Sequence, residues 1–328
     1  MNILEWIRFC AEKFRPVSER TGLSIFRLFI SFEICKHFHG ASMEHFLTFR
    51  MYEDNNFKRS QYMTLTRAMQ LQNILDKDMT EEDQAALGEK HLFCRNYADF
   101  IRRETLYIPD STPEQLRGLI ARSPRFVIKE IDATQGKGVR FYDSDKLDVD
   151  ALLSEIAGKN LLMEAFIRQQ HPALAALNPA TVNTVRVVTA RHNGQVMILS
   201  SFLRVGGAGQ EVDNFHHGGV VYHLDIDGGF VILPGKDELG AHTYVRHPTT
   251  GHIMPGFQVP YWDMIIARCR EAAMRPSHVG LVGWDVAVLP DGIEFLEANT
   301  NLPGPTAMQL WGPGVLKKLR DFIETTTV

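Results

Sequence analysis

Asp285, Glu297 and Asn299 are the residues whose types and spacing point most directly to chemistry. They lie in two apolar runs, LVGWDVAVL (281–289) and IEFLEAN (293–299), joined by Pro290-Asp291-Gly292. A Pro-Asp-Gly connection with its glycine in the left-handed position predicts an antiparallel hairpin. With Leu289 and Ile293 flanking a three-residue loop, counting back along both strands sets Asp285 opposite Glu297. Side chains alternate along a strand, so Glu297 shares a face with Asn299 while Leu296 and Ala298 turn to the core. Two facing carboxylates repel unless a cation or proton compensates them. Carboxylate and amide oxygens are what hard Mg2+ takes alongside substrate phosphates. The alternative is a solvated hairpin face, which the apolar neighbours Trp284, Val286, Phe295 and Leu296 disfavour.

Lys129 lies within RFVIKEI (125–131), a predicted strand, where a lysine needs an anionic partner such as a nucleotide phosphate. After it comes ATQGKGV, in which Gly136 and Gly138 let the backbone turn and offer N–H groups to phosphate, with Lys137 adding charge. The loop matches neither GxGxxG nor GxxxxGK[ST], and an ordinary glycine-rich turn is its plain alternative. Arg186 stands in the apolar strand of HPALAALNPATVNTVRVVT, where its planar fork suits a phosphate or carboxylate, or else an internal salt bridge. Glu164 in LLMEAFI could accept from a ligand amino or hydroxyl group. RVGGAGQEVDNFHHGG (204–219) has the composition of a binding loop. Its adjacent His216 and His217 point apart on extended backbone and match no zinc spacing.

The elements that must hold these residues follow from periodicity and turn signals. Residues 1 to about 75 carry few glycines and repeat apolar residues at helical spacing: Leu4, Ile7 and Cys10-Ala11, then Leu23–Phe38, then Tyr62–Leu75. The first two runs mix aromatics with Arg and Lys, as a membrane-surface helix does; packing on their own domain is the expectation. Thr80 caps a short helix ending at Gly88, residues 91–100 read as another, and Thr112-Pro113-Glu114-Gln115 opens a third. Strand, Gly-rich loop, strand, helix (149–157) and strand over 125–167 predict a small α+β lobe. Strands dominate after 181, with Asn193-Gly194 as a hairpin turn, GGVVYHLDI and GGFVILP as later strands, a helix over 261–274 and a closing helix over 314–324.

The chain of 328 residues is long enough to bury a sizeable core without staples and near the length at which cores divide. Its four cysteines form no CxxC pair, so neither a zinc cluster nor a disulfide framework is expected. Lys and Arg total 35 against 39 Asp and Glu, a net charge of -4, which argues against a nucleic-acid-coating face. LSIFRLFISF is too short to span a bilayer and is interrupted by Arg27, and no signal-peptide pattern opens the chain, so a cytoplasmic location is expected.

In the order and spacing of these motifs the chain resembles the ATP-grasp proteins, most closely the sugar-transfer associated ATP-grasp branch, from about Lys90 to Pro303. Its helical beginning is similar to that branch's leader region. The resemblance implies an α+β fold in which two α+β lobes clamp a nucleotide: a helical N-terminal region over 1–88, linker helices and the small lobe over 89–165, and the large lobe over 166–328. It implies ATP contacts from Lys90, Lys129, the loop residues Gln135, Gly136, Lys137 and Gly138, the linker residues Glu164, Ala165 and Phe166, and His171 near the ribose. It implies Arg186 near the transferred phosphate, and Asp285, Glu297 and Asn299 holding Mg2+, with Mn2+ as an alternative. Residues 1–80 read as helical where a typical ATP-grasp ligase has an α/β substrate domain, so no substrate carries over.

The expected activity is an ATP- and Mg2+-dependent ligase that turns a carboxylate into an acyl-phosphate for attack by an amine. The polysaccharide context comes from the resemblance alone. Lys129 and Arg186 are the catalytic candidates, and Arg204, His216 and His217 the candidate substrate contacts. The expected partners are small-molecule or sugar-linked carboxylates and amines, without nucleic acid, and a homo-dimer is one arrangement. Two alternatives stand: a kinase using the same nucleotide site, and a nucleotide-responsive component docking on a glycan-assembly complex, with peripheral membrane contact through residues 1–50.

Overall fold

Capping residues set the first helices. Asn2 and Ser24 accept from the backbone at the starts of α1 (Ile3–Thr21) and α2 (Ile25–His39), and left-handed Gly22 and Gly40 end them. The computed structural model describes residues 2–131, 138–167, 170–207, 218–237, 242–275 and 278–327. Cys10, Phe14 and Val17 form one stripe of α1 and meet Leu28, Phe32 and Cys35 of α2 over Phe46 of α3 (Met43–Thr48). Rings pack edge-on there, with Phe32 and Phe46 centroids 5.4 Å apart. The first two helices therefore pack on their own neighbours. The short α4 (Asn56–Arg59) follows, its Arg59 donating to Ser31 Oγ at 2.7 Å.

α5 (Leu65–Leu75) packs elsewhere, through Ala68, Leu71 and Leu75, on the larger sheet. α6 (Glu81–Gly88), opened by the Thr80 capping box, and α7 (Lys90–Asn96) send Leu87 and Phe93 into the same core as Trp284 and Phe295.

β1 (Thr105–Tyr107), α8 (Pro113–Arg122), β2 (Arg125–Glu130), β3 (Val139–Asp143), α9 (Val149–Ile156) and β4 (Leu161–Ala165) build an antiparallel sheet in the order β1-β4-β2-β3. Leu116, Leu119 and Ile120 of α8 and Leu152 and Ile156 of α9 cover it. β1 escaped the sequence reading because three residues carry no periodicity.

The short α10 (Pro172–Ala175) leads into the second sheet, made of β5 (Thr184–His192), β6 (Gln195–Val205), β7 (Val220–His223), β8 (Gly235–Lys236), β9 (Thr243–Tyr244), β10 (Leu281–Leu289) and β11 (Gly292–Asn299). Its order is β11-β10-β5-β6-β7-β8-β9, with antiparallel pairing throughout. Asn193 and Gly194, both left-handed at φ 46 and 78, make the β5–β6 turn. α11 (Trp262–Met274) packs on one face with Val185, Val187 and Trp284; α12 (Val315–Thr326) packs on the other with Val188, Ala190 and Leu281.

Two expectations are corrected. GGFVILP is not a strand, and makes only isolated bridges such as Leu224 with Val231. The Asp225 carboxylate accepts from the N–H groups of Asp227, Gly228 and Phe230, folding the chain into a turn in place of a ladder. The β10–β11 connection is also one residue shorter than expected. Leu289 pairs with Gly292, Val286 pairs with Phe295, and a β-bulge then absorbs Leu296 so that Asp285 does lie opposite Glu297. Phe295 therefore takes the core position, and Leu296 stays half-buried. Among the described residues no helix is long and apolar enough to cross a membrane.

Candidate functional site

A row of cross-strand neighbours on the larger sheet carries half of the site. Asp285 in β10 faces Glu297 on one side and Arg186 in β5 on the other. Arg186 grips it with two parallel bonds, Nε to Oδ1 and Nη2 to Oδ2, the latter at 2.7 Å. Arg204 Nη2 lies 2.9 Å from Oδ2 and also donates to Thr184 Oγ1 at 2.8 Å. Gly283 makes room for this arrangement, since a Cβ there would come within 3.1 Å of Arg186 Cδ and 2.7 Å of Pro303 Cβ.

The two facing carboxyls titrate in opposite directions. Burial by itself raises the Asp285 pKa, and the guanidiniums of Arg186 and Arg204 outweigh it, holding the carboxyl at about 2. Burial raises Glu297, and the Asp285 charge opposite raises it further, so Glu297 keeps a proton more readily. Asn299 Nδ2 donates to Glu297 Oε1 at 3.3 Å, which leaves the amide oxygen of Asn299 unengaged by that bond. Among the described residues no group of three or more His, Cys, Asp or Glu is placed to hold a metal. The candidate set is two carboxylates and an amide, an all-oxygen group.

The smaller sheet supplies the other half. Glu164 in β4 sits between β1 and β2, opposite Thr105 and Val127. Its carboxylate is held by Lys129 Nζ and by Arg103 Nη2, the latter at 3.0 Å. Burial alone pushes Glu164 up, and the charges of Arg103 and Lys129 reverse that, holding it at about 2. Arg103 joins the two clusters: its guanidinium meets Glu164 of the smaller sheet and, in the larger sheet, Glu294 and the Leu296 carbonyl. Lys90 Nζ donates to the carbonyls of Glu130 and Ile131, both at 2.8 Å, where β2 runs out. Gly138 has φ +69, and a Cβ there would sit 2.9 Å from the Glu130 carboxyl.

Ala165 lies opposite Phe126, and Phe166 meets Phe141 edge-on with the Arg125 guanidinium 4.9 Å from its ring. His171 stands at the start of α10, where its ring Nδ1 accepts from the Ala173 backbone N–H at 3.2 Å and its backbone N–H donates to Val288 O at 2.8 Å. Gln135, Gly136, Lys137, His216 and His217 lie outside the described residues. Arg103 and Glu294 were missed by sequence reasoning. An Arg102-Arg103-Glu104 run reads as solvated surface, and nothing local announces that Arg103 is buried against Glu164 and Glu294.

Two low-lying carboxyls make a pH prediction. Folded values near 2 for Glu164 and Asp285 lie below the roughly 4 expected unfolded. The stability they add is complete above that unfolded value and is lost as pH falls toward 2. Denaturant unfolding at stepped pH should show stability dropping through this window. Glu164→Gln should flatten the drop, and an unchanged slope would contradict the assignment.

Two antiparallel sheets with their covering helices thus carry clusters of lysine, arginine and carboxylate joined through Arg103. The chain belongs to the sugar-transfer associated ATP-grasp family, whose model matches residues 51–324. It is similar to the ATP-grasp ligase PsnB complexed with a phosphomimetic variant of its minimal precursor, Mg and ADP: 14% identity, TM-score 0.46, over 80% of this chain and 69% of that one. It is also similar to D-alanyl-alanine synthetase A from Vibrio cholerae, at 12% identity and TM-score 0.44, over 76% of this chain and 67% of that one. D-Alanine-D-Alanine Ligase from Helicobacter pylori gives 13% identity and TM-score 0.48, over 76% of this chain and 64% of that one. No curated protein matches the sequence.

Proposed function

We propose that this chain is an ATP- and Mg2+-dependent ligase that activates a carboxylate as an acyl-phosphate for attack by an amine. The observation that carries the reading is the charge inventory where the sheets meet. Arg103, Lys129, Arg186 and Arg204 stand against Glu164, Asp285, Glu294 and Glu297, so full ionisation balances these eight groups and leaves Lys90, at the end of β2, as one added positive charge. A polyphosphate carries more negative charge than that, so its entry needs an accompanying cation or an exchange of partners.

The donor set fits such a cation. Asp285, Glu297 and Asn299 offer oxygen ligands without Cys or His, which suits Mg2+ or Mn2+ better than a softer ion. These residues would hold the ion, which when bound offsets phosphate charge. Lys129 and Lys90 would bind the phosphates, joined by Gln135, Gly136, Lys137 and Gly138, with Glu164, Ala165, Phe166 and His171 toward the nucleoside. Arg186, exchanging Asp285 for phosphate, would offset charge as the γ-phosphoryl moves to the carboxylate. Arg204, with His216 and His217, would receive the substrate. The amine then attacks the activated carbonyl, a bond to carbon forms, and phosphate leaves.

Hydroxylamine traps an acyl-phosphate as a hydroxamate. Incubation with Mg2+-ATP, candidate sugar acids and hydroxylamine should yield hydroxamate and ADP in equal amounts. A stable phosphorylated product with no hydroxamate would replace the ligase reading by a kinase.

A further inference from the structure

We propose that Arg103 is a positioning residue that fixes the register of the β10–β11 hairpin, and so decides whether Glu297 and Asn299 reach the site at all. With Leu289 paired to Gly292, an unbroken ladder would set Leu296 opposite Asp285 and Glu297 opposite Trp284. Glu297 and Asn299 would then point into the core that holds Trp284 and Val282. The bulge at Leu296 reverses this by one residue, and a one-residue slip exchanges the two faces of a strand.

A bulge disrupts the ladder and leaves an extra residue unpaired. Arg103 bonds to the carbonyls there: Nη1 donates to Phe295 O at 2.9 Å and Nη2 to Leu296 O at 3.1 Å. The N–H groups of Arg102 and Arg103 donate to Glu294 Oε2 at 2.8 and 2.9 Å, fixing the strand just before the bulge. Nη2 also donates to Glu164 Oε1 at 3.0 Å, and Glu164 holds Lys129. One guanidinium thus ties the bulge of the larger sheet to the lysine of the smaller one. Its side chain is only 5% exposed, so water offers little replacement. A lysine has no planar fork with which to serve two carbonyls and a carboxylate together.

The metal part of this proposal rests on the nucleotide reading above, and the register part does not. The full chain carrying Arg103→Met, with Arg103→Lys beside it, is tested by hydrogen exchange and by calorimetric binding of AMP-PNP over a Mg2+ series. The amides of 292–299 should exchange faster in both variants, with α1 and α2 unchanged. The Mg2+ concentration for half-maximal binding should rise about 10- to 100-fold, as for loss of a group that orients metal ligands. Unchanged exchange in β11 would overturn the proposal, and so would faster exchange with an unmoved Mg2+ requirement, which marks a purely structural arginine. If the wild-type chain binds no Mg2+-nucleotide, the functional reading fails and the exchange result alone decides the register. Should Arg103→Met not fold, Glu294→Gln, which removes the anchor before the bulge, should show the same two changes in smaller measure; the absence of either overturns it.

Discussion

Asp285→Asn is expected to lower Mg2+-ATP turnover by about 10²–10³-fold or more, because it removes the anionic oxygens from the centre of the site. The amide keeps the shape and loses the charge. Arg186 and Arg204 then face a neutral group in a buried place, and breaking a buried pair on one side costs about 3–5 kcal/mol. The fall in stability and the fall in turnover separate in a double variant. Asp285→Asn with Arg186→Met removes one charge of each sign and should recover much of the unfolding free energy while leaving turnover absent. Recovery of both would mean that Asp285 serves only to neutralise Arg186. Thermal unfolding and ADP release measured on the same preparations provide the comparison.

Lys129→Met is the second large effect. Glu164 keeps Arg103 at 3.0 Å, so its charge is not stranded and the loss of stability should be smaller than for Asp285→Asn. The proposed function of Lys129 is different: it is a cation of the smaller sheet, paired to Glu164, that would bind the nucleotide phosphates. ATP turnover should therefore fall about 10²-fold at saturating Mg2+. The loss should appear in both KM for ATP and kcat, since the ammonium would bind the phosphates before and during transfer. A variant that lost stability but kept both kinetic constants would leave Lys129 a structural partner of Glu164.

The sequence made one part of this site legible for a partly wrong reason. Asp285 does face Glu297, yet the route was a three-residue loop followed by a regular ladder, whereas a two-residue connection followed by a bulge reaches the same pairing. Local turn chemistry could not separate these, because the bulge depends on Arg103, which is distant in sequence. Caps and hairpin turns were readable since they are local: Thr80, Thr112 and Asn193-Gly194 act within a few residues. Arg186 was legible as a charge in an apolar strand, and its partner was not, because strand order rather than spacing brings β5 beside β10. Arg103 gave no signal at all. Its burial is a tertiary consequence of β1 joining β4, and β1 is too short to announce itself.

Calorimetric titration of the wild-type chain and Glu297→Gln with AMP-PNP, with Mg2+ and with EDTA, tests the central claim most directly. The wild-type chain should bind the nucleotide with Mg2+ and bind it at least about 10-fold more weakly in EDTA, and Glu297→Gln should lose most of that difference, as removal of a metal-binding carboxylate requires. Equal binding by both chains, indifferent to Mg2+, would contradict a metal-nucleotide site at the meeting of the two sheets.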